Sequence, residues 1–239
     1  MIHHKQQPAS PSSESGFTII ESLIAIVVVA ILMTAIAPVI ILSVATRLQA
    51  RRVELATDAA KAYIDGVRSG TIPAPTITKK SVGATTDPLP PDAPSGTLTC
   101  NKSNDYCSSP TSSSASLYCF NGDNTDGCTT SSYKDMVIQT FGYNSASIDA
   151  QEGYKLGVRV YRADAFKSGI TLKALKDKDI KIQNSFTGGT GLTAIQAPLV
   201  EFTTEISNKS TSFGNFCDRL KPPDSNPTSN PKPNPQSEC

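Results

Sequence analysis

The sequence predicts an α+β protein: a long N-terminal helix, apolar in its first half and amphipathic in its second, packed on a small antiparallel β-sheet head. Three observations carry this. From Phe17 to Leu42 the only charged residue is Glu21. From Thr46 to Arg68 apolar residues recur near a three-to-four spacing with charges between them. Later in the chain, short apolar runs, one of them alternating, read as strands.

Residues 17–42 would measure about 39 Å as a helix, more than the roughly 30 Å of bilayer hydrocarbon. Sixteen of these residues are Ile, Val, Leu or Phe. At roughly 0.3 to 0.6 kcal/mol each they favour insertion by about 5 to 10 kcal/mol, against about 3 for one mid-span charge. Glu21 lies near the end of the run, where a charge costs less. A secretory signal peptide fits poorly. The run is too long, and a cut after Ala35-Ile36-Ala37 would fall just before Pro38.

Residues 43–68 continue the helix. Val44, Leu48, Arg51/Arg52, Leu55, Ala59, Ala62 and Val67 mark its expected packing face, and Arg51, Arg52, Glu54, Asp58, Lys61, Asp65 and Arg68 are interleaved. Arg47 and Arg51, four apart, suit an acidic lipid surface, another subunit or plain solvent. Residues 69–97 form a Pro-rich connector, with six prolines between Ser69 and Gly96. Residues 98–221 hold the Cys-containing head. Its expected strands are Met136–Phe141, a half-buried Tyr154–Tyr161, Leu199–Ile206 and one starting at Asp179–Ile182. Residues 222–239, with six prolines, read as an extended surface tail.

Gly16-Phe17-Thr18-Ile19-Ile20-Glu21 opens the apolar helix, and Pro38 lies at the twenty-second position after the glycine. A short polar leader, Gly then Phe, Glu at the fifth position after the glycine and the helix proline together resemble the class III signal of type IV pilins and pseudopilins. The likeness covers roughly residues 11–68. It implies removal of residues 1–16 by a membrane prepilin peptidase cutting between Gly16 and Phe17, then methylation of the new amine. Gly16 has no side chain to clash in a protease site. The resemblance also implies that Glu21 pairs with the terminal amine of a neighbouring subunit during assembly, a pair stronger in lipid than in water. The plainer reading places Glu21 in the first turn of its own helix, where the macrodipole favours a carboxylate. Pro38 removes one backbone hydrogen bond and is expected to kink or locally melt the helix.

Leu48–Arg68 and Tyr154–Phe166 are similar to a cyanobacterial pseudopilin subfamily associated with hormogonium polysaccharide secretion. The resemblance implies a single-pass inner-membrane protein with its head in the periplasm, assembling into a filament on the cell surface or in the periplasm. The implied partners are other pilin or pseudopilin subunits, prepilin peptidase, an inner-membrane assembly platform and the lipid bilayer. The implied role is in secretion, with polysaccharide export and gliding motility; a surface-pilus subunit for adhesion or DNA uptake is the alternative. Arg47, Arg51 and Arg52 follow the span, which under the positive-inside rule alone would put the C-terminal part in the cytoplasm. The six cysteines and the pilin-like signal argue the opposite.

Cys100, Cys107, Cys119, Cys128, Cys217 and Cys239 include no C-x-x-C pair, which argues against zinc ribbons and thioredoxin-like sites. Among Ser- and Gly-rich loops they suit an oxidising compartment, and an internally paired 100–128 cluster with Cys217 joined to Cys239 is the expected arrangement. Asn121 to Gly127 supplies hard oxygen ligands, and Asp123 and Asp126 are a weak calcium candidate. Its spacing fails the EF-hand pattern, and an Asn/Asp/Gly turn explains the same residues.

Both histidines, His3 and His4, precede the apolar segment. Loss of the leader would leave no imidazole for Ser-His-Asp or Cys-His catalysis or for His-ligated zinc. A signal-anchored envelope enzyme or receptor would depend on scattered carboxylates such as Asp123, Asp126 or Glu201, and these form no recognisable pair. No cofactor motif occurs, and a net charge of +1 argues against a nucleic-acid partner. The expectation is a structural subunit, not an enzyme.

Overall fold

The computed structural model describes residues 16, 18–79, 90–111, 115–145, 147–174, 195–207 and 211–220. The chain divides into two units, residues 1–47 and 48–239. The expected strand start at Asp179–Ile182 and the tail 222–239 lie outside the described residues.

Helix α1 runs from Ile19 to Ser69, with Pro38 inside it and no break in the helical assignment there. In the first unit its apolar side chains are exposed: Ile19 by 87%, Ile26 by 70% and Ile41 by 69%. It is long and apolar enough to cross a membrane. Three of its hydroxyls are satisfied internally, Ser22 donating to the Ile19 carbonyl, Thr34 to Ile31 and Thr46 to Ser43. That local pairing suits side chains with no water to bond.

In the second unit, Leu48–Ser69 buries Ala56, Ala59, Ala60, Tyr63, Ile64 and Val67. The three alanines and Tyr63 are fully buried in one cluster with residues of the sheet. This packing stripe differs from the one expected from spacing. Val67 and Ala59 belong to it, but Leu48 is 53% and Leu55 36% exposed, and Ala62 is exposed as well. Two faces of the helix carry small or apolar residues, and periodicity alone cannot say which one the sheet covers. The helix closes with Gly70 at φ 76°, its N–H donating to the Val67 carbonyl, while the Ile72 N–H donates to Gly66. This αL closure favours glycine at Gly70. Ile72 folds back on Gly66, where an added Cβ would lie 2.4 Å from Ile72 Cδ1.

The sheet has five strands: β1 Ile77–Lys79, β2 Ser116–Phe120, β3 Met136–Asn144, β4 Tyr154–Arg162 and β5 Val200–Ile206. Their order is β1-β3-β4-β5, with β2 also paired to β3. The sheet is mixed, not purely antiparallel as expected. β1 runs parallel to β3, Ile77 opposite Gly142 and Lys79 opposite Asn144. β2 runs antiparallel to the earlier half of β3, from Phe120 opposite Met136 to Ser116 opposite Thr140. The two short strands thus follow one another along the register of β3, joined where the Thr76 and Ser116 hydroxyls meet at 3.1 Å. β1 lies in the Pro-rich connector, which is therefore more than a loop. Three residues between prolines give too short a pattern to read as a strand.

Met136, Ile138, Leu156, Val158 and Val160 face the helix. The opposite face is covered too. Val137, Tyr161, Leu117 and Cys119 pack there with Ala163, Ala165, Phe166 and Leu172, and Ala93 of the connector and Leu98 just after it lie over them. Strand β4 is therefore buried on both faces, against the expectation of half-burial. A short helix α2, Phe213–Leu220, follows β5.

Candidate processing and assembly segment

Gly16 is exposed, and nothing lies within 4 Å of where a Cβ would be. Phe17 lies outside the described residues. Thr18 caps α1: the Glu21 N–H donates to the Thr18 carbonyl at 3.1 Å and approaches its hydroxyl at 3.4 Å, and the Ser22 N–H donates to the same carbonyl. Thr18-Ile19-Ile20-Glu21 has the spacing of a capping box, with the acidic residue in the first turn. The exposed Glu21 thus has a local role at the helix start besides any contact with another subunit. Sequence reasoning missed the Thr18 cap, although its Thr-x-x-Glu signature was legible.

The cysteine cluster folds into two bridged loops. Cys100 joins Cys107 across a Cα separation of 4.3 Å, and Cys119 joins Cys128 across 5.7 Å. The Cys128 N–H donates to the Cys100 carbonyl at 3.0 Å and ties the loops together. Gly127 makes that approach possible: its φ is 72°, and a Cβ there would lie 1.9 Å from the Cys100 oxygen. Cys217 is disulfide-bonded as well, and Cys239 lies outside the described residues. There is no free cysteine among the described residues.

Asn121–Gly127 is an Asx-type turn. The Asn121 Oδ1 accepts from the Asp123 and Asn124 N–H groups, and Asn124 takes φ 63°. Asp123 Oδ1 accepts from the Thr125 N–H at 3.0 Å and its hydroxyl at 2.6 Å, while Oδ2 accepts from Ser132 at 2.8 Å. The Thr125 hydroxyl, then that of Ser132, holds this exposed carboxyl below its ordinary pKa. Both Asp123 oxygens already serve the turn. The Asp126 side chain is exposed, and no group of three His, Cys, Asp or Glu among the described residues is arranged for a metal. Asp135, unmarked by any sequence pattern, does more. Fully buried, it accepts from the Gly122 N–H through Oδ1 and the Thr129 N–H through Oδ2, both at 3.1 Å, and so fixes both ends of the Cys119–Cys128 loop.

A polar row crosses the sheet on the side away from the helix. Register places Gln139, Arg159 and Glu201 side by side. Arg159 is fully buried; its Nε meets Glu201 Oε1 at 2.8 Å, and its Nη1 donates to Gln139 Oε1 at 3.2 Å and to the Pro91 carbonyl at 2.6 Å. Gln139 donates to the Asp92 carbonyl at 2.8 Å. The row therefore binds the connector to the sheet. Glu201, weighed from sequence as a stray carboxylate, is the counter-ion of this row.

Between helix and loops lies a tyrosine cluster. The Tyr63 and Tyr106 hydroxyls are 2.8 Å apart, Tyr106 donates to the Pro73 carbonyl at 2.7 Å, and Tyr118 donates to Asn104 at 2.8 Å. Burial raises the pKa of Tyr63, Tyr106, Tyr118 and Tyr154 above the ordinary phenol value. Arg52, on the helix, is shifted down, first by burial and then by the nearby Arg162, which is ion-paired with Asp164.

Residues 11–37 match the prokaryotic N-terminal methylation motif. No curated protein and no solved structure matches the chain. The motif is one of structural subunits, not of enzymes, and it implies prepilin peptidase processing and assembly with other pilins. The chain thus carries the class III prepilin signal of the type IV pilin-like family, on a membrane-capable helix followed by an α+β arrangement with two closed disulfide loops.

Proposed function

We propose that this protein is a minor pilin or pseudopilin subunit that acts by assembly in a secretion filament. It is cut between Gly16 and Phe17, methylated on the new amine and held in the inner membrane by α1 with its head in the periplasm. An assembly platform then draws it into the filament, where Glu21 pairs with the terminal amine of a neighbouring subunit. Pro38, lacking an N–H, leaves one carbonyl of the helix without its usual partner and is the point where α1 bends on assembly.

The observation that carries this reading is the processing signal itself, Gly16 to Glu21, placed at the start of a helix that can cross a membrane. The disulfide loops support a periplasmic head, because such bonds persist in oxidising compartments. Intact-mass measurement on protein from native membranes tests it. The expected species begins at Phe17 and carries one methyl group; an N-terminus at Met1, or one following Ala37, overturns the proposal.

The cargo we assign is polysaccharide, coupled to gliding. The likeness of Leu48–Arg68 and Tyr154–Phe166 to polysaccharide-secretion pseudopilins supports this assignment. Deleting the gene should reduce exported polysaccharide and motility and leave transformation intact. Loss of DNA uptake or adhesion with normal export would favour a surface-pilus subunit instead.

A further inference from the structure

The two disulfides differ in what they hold and in how exposed they are. Cys119 is fully buried, Cys128 and Cys100 are each 5% exposed, and Cys107 is half-buried. Reduction needs a thiolate to reach one sulfur, so access decides which bridge reacts first. Of these four cysteines, Cys107 is the most exposed.

Tyr106, inside the loop that this bridge closes, is the loop's grip on the helix. Its ring stands edge-on to Tyr63 of α1 at 6.5 Å and to Tyr118 of β2 at 5.4 Å. Its hydroxyl joins Tyr63 and the Pro73 carbonyl, just beyond the end of α1. On its other side the loop is held to β2 by the Cys107 N–H on the Leu117 carbonyl and the Cys119 N–H on Asp105. Without the bridge these contacts must order the loop alone, against the added entropy of an open chain.

We propose that Cys100–Cys107 is a redox-sensitive lock which, when reduced by a dithiol, releases Tyr106 from the stalk helix and leaves the sheet and the Cys119–Cys128 loop intact. A thiolate of the dithiol attacks Cys107 Sγ, and Cys100 leaves as a thiolate and takes up a proton. The second thiol of the reagent then displaces Cys107. The products are two protein thiols and the oxidised, cyclic reagent. The lock does not depend on the assembly reading, since it concerns the packing within residues 48–239.

The test uses the full chain in detergent micelles, titrated with dithiothreitol and followed by alkylation mapping and amide hydrogen exchange. Cys100–Cys107 should open at about tenfold lower reagent than Cys119–Cys128, and exchange across residues 56–67 should then rise about tenfold with β3 and β4 still protected. Simultaneous opening of both bridges, or unchanged exchange at residues 56–67 once Cys100–Cys107 alone is open, overturns the proposal. Tyr106→Phe, which keeps the bridge but loses both hydroxyl contacts, provides a second measurement should Cys100→Ser/Cys107→Ser not fold. It should raise exchange at residues 56–67 in the oxidised protein, and no rise would remove Tyr106 as the coupling residue.

Discussion

Replacing Glu201 by Gln should expose how much the buried polar row contributes to the head. Arg159 has no exposed surface and Glu201 only 16% of its side chain, so the substitution leaves a desolvated guanidinium without its counter-ion. Removing one partner of a buried pair costs about 3 to 5 kcal/mol, and the lower end applies because Arg159 keeps the Pro91 and Gln139 acceptors. With a urea dependence of about 2 kcal/mol per molar, a loss of about 3 kcal/mol lowers the unfolding midpoint by about 1.5 M. The chain has no tryptophan, so far-ultraviolet circular dichroism and tyrosine emission are the probes. Adding Gln139→Glu returns a carboxylate to the other side of Arg159. It sacrifices the donor to the Asp92 carbonyl, worth about 1 kcal/mol, so recovery should reach about half to two thirds. A cost below about 1 kcal/mol for Glu201→Gln, or no recovery in the double variant, would refute the view that the row works as a charge-balanced clamp on the connector.

Three further outcomes are expected. Glu21→Ala should leave cleavage after Gly16 intact and lower filament incorporation at least about tenfold, equivalent to about 1.4 kcal/mol; wild-type incorporation, read by immunoblotting of sheared filaments, would leave Glu21 only its place at the helix start. Alkaline unfolding should begin early: Tyr63, Tyr106, Tyr118 and Tyr154 keep their protons in the folded state, so the unfolded chain ionises first and stability falls as pH rises above about 10. A flat urea midpoint between pH 9 and about 11 would contradict that sign. Gly127→Ala forces a side chain into positive φ against the Cys100 carbonyl and should cost about 2 kcal/mol or more in thermal unfolding, whereas Gly16→Ala, with open space around it, should not change head stability.

Much of the architecture was legible one residue at a time. A 26-residue run with a single charge admits few structures but a membrane-capable helix, and the short apolar run Met136–Phe141 and the alternation in Tyr154–Tyr161 mark the two central strands. The structure extends these to Asn144 and Arg162. Composition also pointed to a disulfide-closed turn at Asn121–Gly127, because Asx turns depend on local side-chain to backbone bonds. Strands β1 and β2 were not legible. They are three and five residues long, set in Pro- and Ser-rich surroundings, and exist because β3 offers them a register to pair with.

The methylation motif was legible because its residues are contiguous: a glycine, a phenylalanine and a glutamate in six residues at the head of an apolar helix. The arrangement of the head was not, because it depends on residues far apart in the chain. Arg159 alternates with buried valines and reads as a solvent-facing residue until the connector at Pro91 lies over it and Glu201 is brought alongside. Leu48 and Leu55 share the three-to-four spacing with Ala59, yet it is the face of Ala56, Ala59, Ala60 and Tyr63 that the core cluster covers. A contiguous run of residues was enough to reveal a methylation motif and a membrane-capable helix at one end of this chain. The tertiary structure decided which helix face, which charges and which cysteines are buried, since burial depends on what folds over each residue and not on the residue alone.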